Sequence, residues 1–173
     1  MKNSEDEHRE FERMLRRSRS TIYRMCLAFT DRDPDNVDDL FQEIACNLWR
    51  SWHRFRGECA TNTWVYRIAL NTAISDTRRR RRRGHKGFVP LDDLQCADLA
   101  EEAADPQLER LYDLIDRLSD NEKQIIYLYL DRLSYLEIAE ITGISEASVR
   151  QGLHRIRQRL IEIKQQYEYE EYI

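Results

Sequence analysis

The residues best suited to binding chemistry in this chain lie near its C-terminus, in the segment SYLEIAEITGISEASVRQGLHRIRQRL. Ala139 is small enough for two helices to cross closely, and Gly143, four positions later, tolerates the positive φ of a tight turn. Val149 follows six positions after that glycine and is spaced to pack back on the first helix. Ile138 and Ile144 would complete a small core. The pattern predicts a helix-turn-helix, which binds duplex DNA.

In such a motif the second helix enters the major groove with its N-terminal half. Val149, Leu153 and Ile156 would face inward, and Arg157 and Arg159 would touch phosphates or stay solvated. Arginine pairs with guanine edges and glutamine with adenine edges. The outer face that would read bases consists of Ala147, Ser148, Arg150, Gln151, His154 and Arg155. The alternative is a helical hairpin that serves only as a core element.

A second group of residues suited to nucleic acid lies between Arg50 and Arg83. This segment has ten arginines and only two acids, and it interleaves with the basic residues a set of aromatic and hydrogen-bonding side chains, Trp52, Phe55, Trp64, Tyr66 and Asn71. Aromatics beside a basic track suit single-stranded DNA, because every base offers a face for stacking. Either tryptophan could instead be a core residue, and the arginine run could be a solvated helix end or a nonspecific phosphate clamp. The helix-turn-helix in the same chain favours a DNA role.

Side chains for catalysis or metal binding are few and scattered. The four cysteines and four histidines form no CxxC pair and no set at metal-ligand spacing. We therefore expect no enzymatic activity, no metal or other cofactor and no small-molecule substrate. The N-terminus has no apolar leader, and no run approaches the ~18 apolar residues that span a bilayer. These features predict a cytoplasmic protein with reduced thiols.

The formal net charge of -4 argues mildly against a nucleic-acid partner, but the charges are strongly segregated. Six acids and one arginine lie between Asp31 and Glu43, and eight acids and one arginine lie between Asp92 and Asp113. Such blocks suggest acidic faces for other partners beside the basic face. Asp38, Asp39, Gln42 and Glu43 could dock a basic protein surface, or they could be acids enriched at a helix N-terminus by the helix dipole.

The elements that must position these groups are all helical. Only five glycines and three prolines are present, and 35% of residues are charged. Apolar residues recur at helical spacing over Phe11–Phe29 and Val37–Trp52, separated by the polar stretch Asp31–Asn36. His53–Ala60 is typical of a loop around a glycine, and Thr61–Arg83 is predicted to form a third helix with basic residues at its C-terminal end.

A second periodic group follows a stretch without clear period. We interpret residues 84–106 as a flexible linker, because a structureless stretch of that length is unusual inside one domain. Helix starts are marked in the second group by Ser119 with Glu122, by Ser134 with Glu137, and by Ser145. The sequence therefore predicts an all-α fold of two small helical domains, residues 11–83 and 107–164, followed by an acidic tail over residues 165–173.

Two segments in this order resemble a known family. NVDDLFQEIACNLWR (Asn36–Arg50) followed by TWVYRIALNTAISDTRRR (Thr63–Arg80) resembles region 2 of sigma-70-family sigma factors. LSDNEKQIIYLYLDRLSYLEIAEITGISEASVRQGLHRIRQRL (Leu118–Leu160) resembles their region 4. A chain with only these two regions and a short linker is similar to the extracytoplasmic-function (ECF) group. The resemblance covers most of the chain from Arg13 to Leu160.

The resemblance implies a factor that binds core RNA polymerase, recognises promoter DNA and initiates transcription. In the family, the helix with the DDLFQE-type motif docks on the polymerase, which here implies Asp38, Asp39, Leu40, Gln42 and Glu43. The next helix and the loop before it open the promoter and capture unstacked bases of the minus-ten element, which implies Phe55, Arg56, Thr61, Asn62, Trp64, Asn71, Ser75 and Arg78. The helix-turn-helix would read the minus-thirty-five element as duplex, and the acidic linker would thread toward the polymerase active-site channel.

Such factors are often held inactive by an anti-sigma partner, although nothing in this sequence shows one. We expect a monomer that binds DNA weakly when free, because its acidic segments and flexible linker oppose binding. An ordinary helix-turn-helix regulator would instead dimerise on a palindromic site. The chain departs from the family pattern at Gly152, where many relatives carry a larger polar residue, in the variable loop FRGECATNT, and in its long arginine run. That glycine costs about 1 kcal/mol in a helix interior and could allow close approach to the DNA backbone.

Overall fold

The computed structural model describes residues 4–30, 32–83 and 106–170, and it divides the chain into two compact units, Met1–Asp93 and Leu94–Ile173. Within the described residues all regular structure is helical, as the sequence predicts. The predicted linker lies outside these residues except for Pro106, and so do the last three residues of the predicted tail. None of the described helices is both long and apolar enough to cross a membrane.

In the described part of the first unit, three helices each pack on the other two: α1 (Ser4–Phe29), α2 (Pro34–Trp52) and α3 (Thr61–Arg82). Their shared core contains the fully buried side chains Ile22, Val37, Leu40, Ile44, Leu48 and Val65. The break between α1 and α2 is shorter than predicted. The reason is local: Asp33 caps the helix by accepting a hydrogen bond from the Asp35 amide at 3.2 Å, and the proline stands at the first helical position.

The second unit contains α4 (Pro106–Asp116), α5 (Asp120–Leu130), α6 (Tyr135–Thr142) and α7 (Glu146–Glu170). Both predicted capping boxes are present. The amides of Ser119 and Ser134 donate to Glu122 Oε2 at 2.9 Å and to Glu137 Oε2 at 2.8 Å. Gly143 ends α6 with a φ of 77°, the left-handed conformation that the turn requires.

The second unit differs from the prediction in two places. Ile144 is 38% exposed and does not belong to the core of the helix-turn-helix, which is built instead on Ile138, Ile141, Val149 and Leu153. The turn that begins at the glycine carries the isoleucine outward. α7 also continues helically to Glu170, so the predicted tail does not start as a separate segment at residue 165.

Candidate nucleic-acid interface

The outer face of α7 presents every residue that the sequence predicts for base reading. Val149, Leu153 and Ile156 are at most 1% exposed and anchor the helix from the inside. Ser145 caps the helix by accepting a hydrogen bond from the Ser148 amide at 3.1 Å. The residues exposed on the opposite side are Ala147, Ser148, Arg150, Gln151, His154 and Arg155. The last four of these line a shallow recess that holds donors and acceptors of the kind that read base edges.

Two arginines of α7 lie against tyrosine rings of the preceding helices, contacts that sequence reasoning missed. The guanidinium of Arg150 lies 5.6 Å from the centroid of the Tyr135 ring, and it also donates to Glu146 Oε1 at 3.0 Å. The guanidinium of Arg157 lies 5.3 Å from the centroid of the Tyr129 ring and donates to its hydroxyl at 3.0 Å. No local pattern signals these pairs, because the partners stand 15 and 28 positions apart in the sequence.

Arg159 has a partner within the same unit. Its guanidinium lies 3.7 Å from the carboxylate of Glu122, the acid of the first capping box. Partial burial alone would raise the pKa of that carboxyl, but hydrogen bonds from Ser119 and the charges of Arg159 and Arg155 outweigh it, so the pKa is lowered. The basic residues of the helix-turn-helix are therefore partly neutralised from within the domain.

Gly152 faces the interior of the second unit. It is buried, and a Cβ at this position would stand 3.2 Å from Cδ1 of Ile125 on α5. The tip of the Ile125 side chain therefore packs directly against this glycine. The interpretation that the glycine serves close approach to DNA is not needed.

The predicted minus-ten residues lie on α3 and on the loop before it. Trp64, Asn71, Ser75 and Arg78 recur at intervals of seven, four and three residues and so share one face of α3. All but the half-buried tryptophan are exposed. In the loop and the first turn of α3, Phe55 is half-buried, whereas Arg56, Thr61 and Asn62 are exposed.

Trp52 and Trp64 pack against other aromatic rings and are also partly exposed at the surface. Trp52 stacks on Phe55 with ring centroids 5.9 Å apart, and Trp64 contacts both rings at 5.8 Å and 4.9 Å. Phe11 of α1 extends the cluster, with centroid distances of 5.8 Å to Trp52 and 4.9 Å to Trp49. The packing of these rings on Phe55 holds the α2–α3 loop in place. Because Trp52 and Trp64 are only half-buried, part of each ring surface stays accessible.

The arginine run divides into structural and exposed members. Asp76 is 7% exposed, and its two carboxylate oxygens lie 2.7 Å from guanidinium nitrogens of Arg79 and Arg80. Arg80 also donates to the carbonyl oxygen of Phe29, which ties α3 to the end of α1. At least two of the six arginines therefore hold the three-helix unit together, and Arg78, Arg82 and Arg83 remain exposed.

The predicted polymerase-docking residues of α2 divide in the same way. Asp38, Asp39 and Gln42 are exposed. Glu43 accepts two hydrogen bonds from Arg79, at 2.7 Å and 3.3 Å, and these bonds help to raise the pKa of that arginine further. Leu40 does not lie on this exposed surface: it is 1% exposed and belongs to the core, so it supports the helix from inside.

Candidate metal ligands do not cluster in the described part of the chain. Among those residues no three of His, Cys, Asp and Glu are placed to hold a metal ion. Cys26 is fully buried, and burial together with the charge of Asp76 raises the pKa of its thiol to about 12. Cys46 is exposed and Cys59 half-buried, whereas Cys96 lies outside the described residues.

Two complexes are among the solved structures with a similar fold. The sigma factor RpoE of Bartonella quintana, in complex with the anti-sigma factor NepR, matches with a TM-score of 0.71 and 20% identity, covering 90% of this chain and 97% of that one. CnrH, in complex with the cytosolic domain of CnrY, matches with a TM-score of 0.68 and 20% identity, covering 91% and 89%.

Sequence comparison identifies the family. Residues 11–83 match the family model of sigma-70 region 2, and residues 108–160 match that of sigma-70 region 4. The ECF RNA polymerase sigma-E factor of Haemophilus influenzae is 33% identical over 136 residues, covering 72% of each chain. The ECF sigma factor SigM of Bacillus subtilis is 30% identical over 146 residues, covering 80% of this chain and 85% of that one. The chain belongs to the ECF group of the sigma-70 family of RNA polymerase sigma factors.

Proposed function

We propose that this chain binds core RNA polymerase, recognises two unlike promoter elements and initiates transcription without catalysing a reaction itself. The observation that carries the proposal is the division of α7 into a buried stripe and an exposed face of six base-reading side chains. Membership of the ECF group supports core RNA polymerase as the partner. We assign a separate role to the helix-turn-helix, to α3 with the loop before it, and to α2.

The helix-turn-helix reads the minus-thirty-five element as duplex DNA. Arg150 and Gln151 stand near the N-terminal end of α7, the part of a recognition helix that reaches base edges. Arginine donates to guanine O6 and N7, and glutamine pairs with adenine N6 and N7. His154 and Arg155, one turn further on, extend the same exposed face.

The α2–α3 loop and α3 open the minus-ten element and hold unpaired bases. The ring surface left accessible on Phe55 and Trp64 offers a stacking platform, and such stacking is worth about 1–3 kcal/mol per base. Asn71, Ser75 and Arg78 continue along the same side of α3 and supply hydrogen bonds for bases and phosphates. A base that leaves the duplex thus loses its stacking on neighbouring bases and gains stacking on these aromatic rings.

The acidic face of α2 docks on a basic surface of core polymerase. Asp38, Asp39 and Gln42 are exposed and available for this contact, and Glu43 would share its carboxylate between the polymerase and Arg79. The DNA-binding surfaces then act on DNA that polymerase holds close, which explains the weak DNA binding that we expect of the free monomer.

An anti-sigma protein is the proposed regulatory partner, acting on a cytoplasmic factor. The two structural neighbours are seen with an anti-sigma factor and with the cytosolic domain of CnrY, respectively. Occlusion of α2 or of the α7 face would be sufficient to block the proposed activity.

Run-off transcription tests the proposal. The purified protein is mixed with bacterial core polymerase and fragments of the source genome, and new discrete transcripts are expected. Arg150→Ala should reduce them about tenfold or more while leaving core binding intact, and Asp39→Ala should weaken core binding. Gln158→Ala, an exposed change on α7 outside the base-reading set, is the matched control and should behave as wild type. Absence of core binding by the wild-type protein would refute the proposal.

A further inference from the structure

Four side chains form a row along one side of the helix-turn-helix, in the order Arg150, Tyr135, Tyr129, Arg157. The first and last lie over tyrosine rings, at 5.6 Å and 5.3 Å from the centroids. The two rings are themselves neighbours, with centroids 6.3 Å apart and an interplanar angle of 35°. The arginines are seven residues apart, or about two helical turns, so both project from the same side of α7. The tyrosines come from the last turn of α5 and the first turn of α6.

The row restrains an arginine that would otherwise be free to rotate. The side chain of Arg150 is 67% exposed, and an exposed arginine loses much rotamer freedom when it is fixed on a ligand. A guanidinium that lies against an aromatic ring is held by its flat face, which leaves N–H groups at its edge free to donate. Glu146 binds one nitrogen at 3.0 Å from the preceding turn and so fixes the direction of the fork.

The second pair supports the first. Tyr129 is half-buried, and its hydroxyl accepts a hydrogen bond from Arg157 at 3.0 Å. Its ring stands beside that of Tyr135 and limits the positions that the half-buried Tyr135 ring can take. The orientation of Arg150 is therefore set by contacts that reach back into the domain.

We propose that Tyr135 and Glu146 are positioning residues for promoter specificity, which hold the guanidinium of Arg150 ready for bidentate contact with one guanine of the minus-thirty-five element. This inference rests on the proposed function, because it concerns the DNA-reading face of α7. Tyr135 acts through the arginine and contacts no base itself. Glu146, adjacent in space, sets the direction of the same side chain.

The test measures base discrimination by reconstituted holoenzyme. Binding is measured for a promoter duplex and for variants with each minus-thirty-five base pair replaced in turn. For wild type we expect one guanine whose replacement weakens binding about tenfold or more, within the range of a bidentate arginine–guanine pair. Arg150→Ala should remove this discrimination. Tyr135→Leu should reduce it about three- to tenfold at the same base pair and leave the other positions nearly unchanged.

Three further variants separate positioning from a merely structural role. Tyr135→Phe keeps the aromatic face and should restore discrimination, and Glu146→Gln should reduce it at the same base pair. Tyr135→Leu added to Arg150→Ala should have no further effect on discrimination, because the side chain that it positions is gone. Tyr112→Leu removes a ring that stacks on Tyr127 at 6.3 Å in the same unit, and it should leave discrimination as in wild type.

The outcomes distinguish failure of this inference from failure of the proposed function. Uniform weakening by Tyr135→Leu at every base pair, or an equal effect in the Arg150→Ala background, would overturn the positioning role and leave the sigma function standing. Discrimination that survives Arg150→Ala would overturn the inference in the same way. Wild-type holoenzyme that discriminates at no minus-thirty-five base pair would overturn both.

Discussion

Asp76 provides the sharpest test of how the first unit is held together. Its carboxylate is almost fully buried and binds Arg79 and Arg80 through separate oxygens, each at 2.7 Å. Asp76→Asn keeps the shape of the side chain and removes its charge. Arg80, whose side chain is 15% exposed, would then keep only the Phe29 carbonyl as a partner among the contacts described above. We expect the substitution to destabilise the unit clearly.

The magnitude follows from burial. Removal of one partner from a fully buried ion pair costs about 3–5 kcal/mol, because the other charge is left without compensation. Here the side chain of Arg79 is 45% exposed and retains Glu43, so water and the second carboxylate recover part of that cost. We therefore expect a loss of about 2–3 kcal/mol for Asp76→Asn. Glu43→Gln breaks a pair that is largely exposed and should cost less than about 1 kcal/mol.

Urea unfolding followed by tryptophan fluorescence measures this difference directly. All three tryptophans, Trp49, Trp52 and Trp64, lie in the first unit, so their emission reports on that unit alone. Because m-values of small domains are about 1–3 kcal/mol per M urea, the midpoint for Asp76→Asn should fall by about 0.7–3 M with an unchanged slope. Equal losses for Asp76→Asn and Glu43→Gln would refute the reasoning, since burial would then not decide the effect.

Three other predictions concern particular contacts. Gly152→Ala should stabilise the second unit by up to about 1 kcal/mol, because the end of the isoleucine side chain facing it can give by a few tenths of an ångström; a lowered thermal midpoint would contradict this. Ser134→Ala should cost about 1 kcal/mol. Hydrogen bonds from Ser134 lower the pKa of Glu137 below its ordinary 4.5, so the stability that the capping box contributes is present above that pH and is lost as pH falls through the lowered pKa. A thermal midpoint for wild type and Ser134→Ala measured between pH 7 and 3 should therefore converge on acidification. Iodoacetamide at pH 8 should label exposed Cys46 in the folded protein and Cys26 only after unfolding, because a thiol with a pKa of about 12 is not ionised there; peptide mapping by mass spectrometry reads this out.

The helices and their ends could be predicted because their signals are local. Ser119 with Glu122 and Ser134 with Glu137 stand three positions apart, and a capping box closes within that distance. Gly143 has a positive φ, a conformation that glycine adopts readily, so its residue type indicates the left-handed turn. The periodicity of Val149, Leu153 and Ile156 identifies the inward side of α7, and with it the exposed face. For the same reason the outer residues of the helix-turn-helix could be named in advance.

The sequence-based predictions were wrong or incomplete mainly where the contacts of a residue come from segments far away in the sequence. Leu40 stands in the docking motif and yet is buried, on a helix that packs against both α1 and α3. Glu43 and Arg79 meet across 36 positions, and Tyr129 and Arg157 meet across 28. Neither pair leaves a pattern in a single sequence. The six arginines of the run are likewise indistinguishable in the sequence, and only the fold shows that two of them, Arg79 and Arg80, pair with Asp76.

The separation of buried packing contacts from exposed side chains on α7 affects how promoter specificity could evolve in this fold. The buried stripe of α7 and the capping boxes fix the position of the recognition helix, and their requirements are met by common residue types. The side chains that we propose to touch DNA are exposed and almost free of packing constraints, so they can change without loss of stability. The exception is Arg150, which is bound to Tyr135 and Glu146. A change of base preference at its position would therefore require changes at neighbours that do not touch DNA, and substitution of Arg150 alone should give loss of discrimination more readily than a new preference.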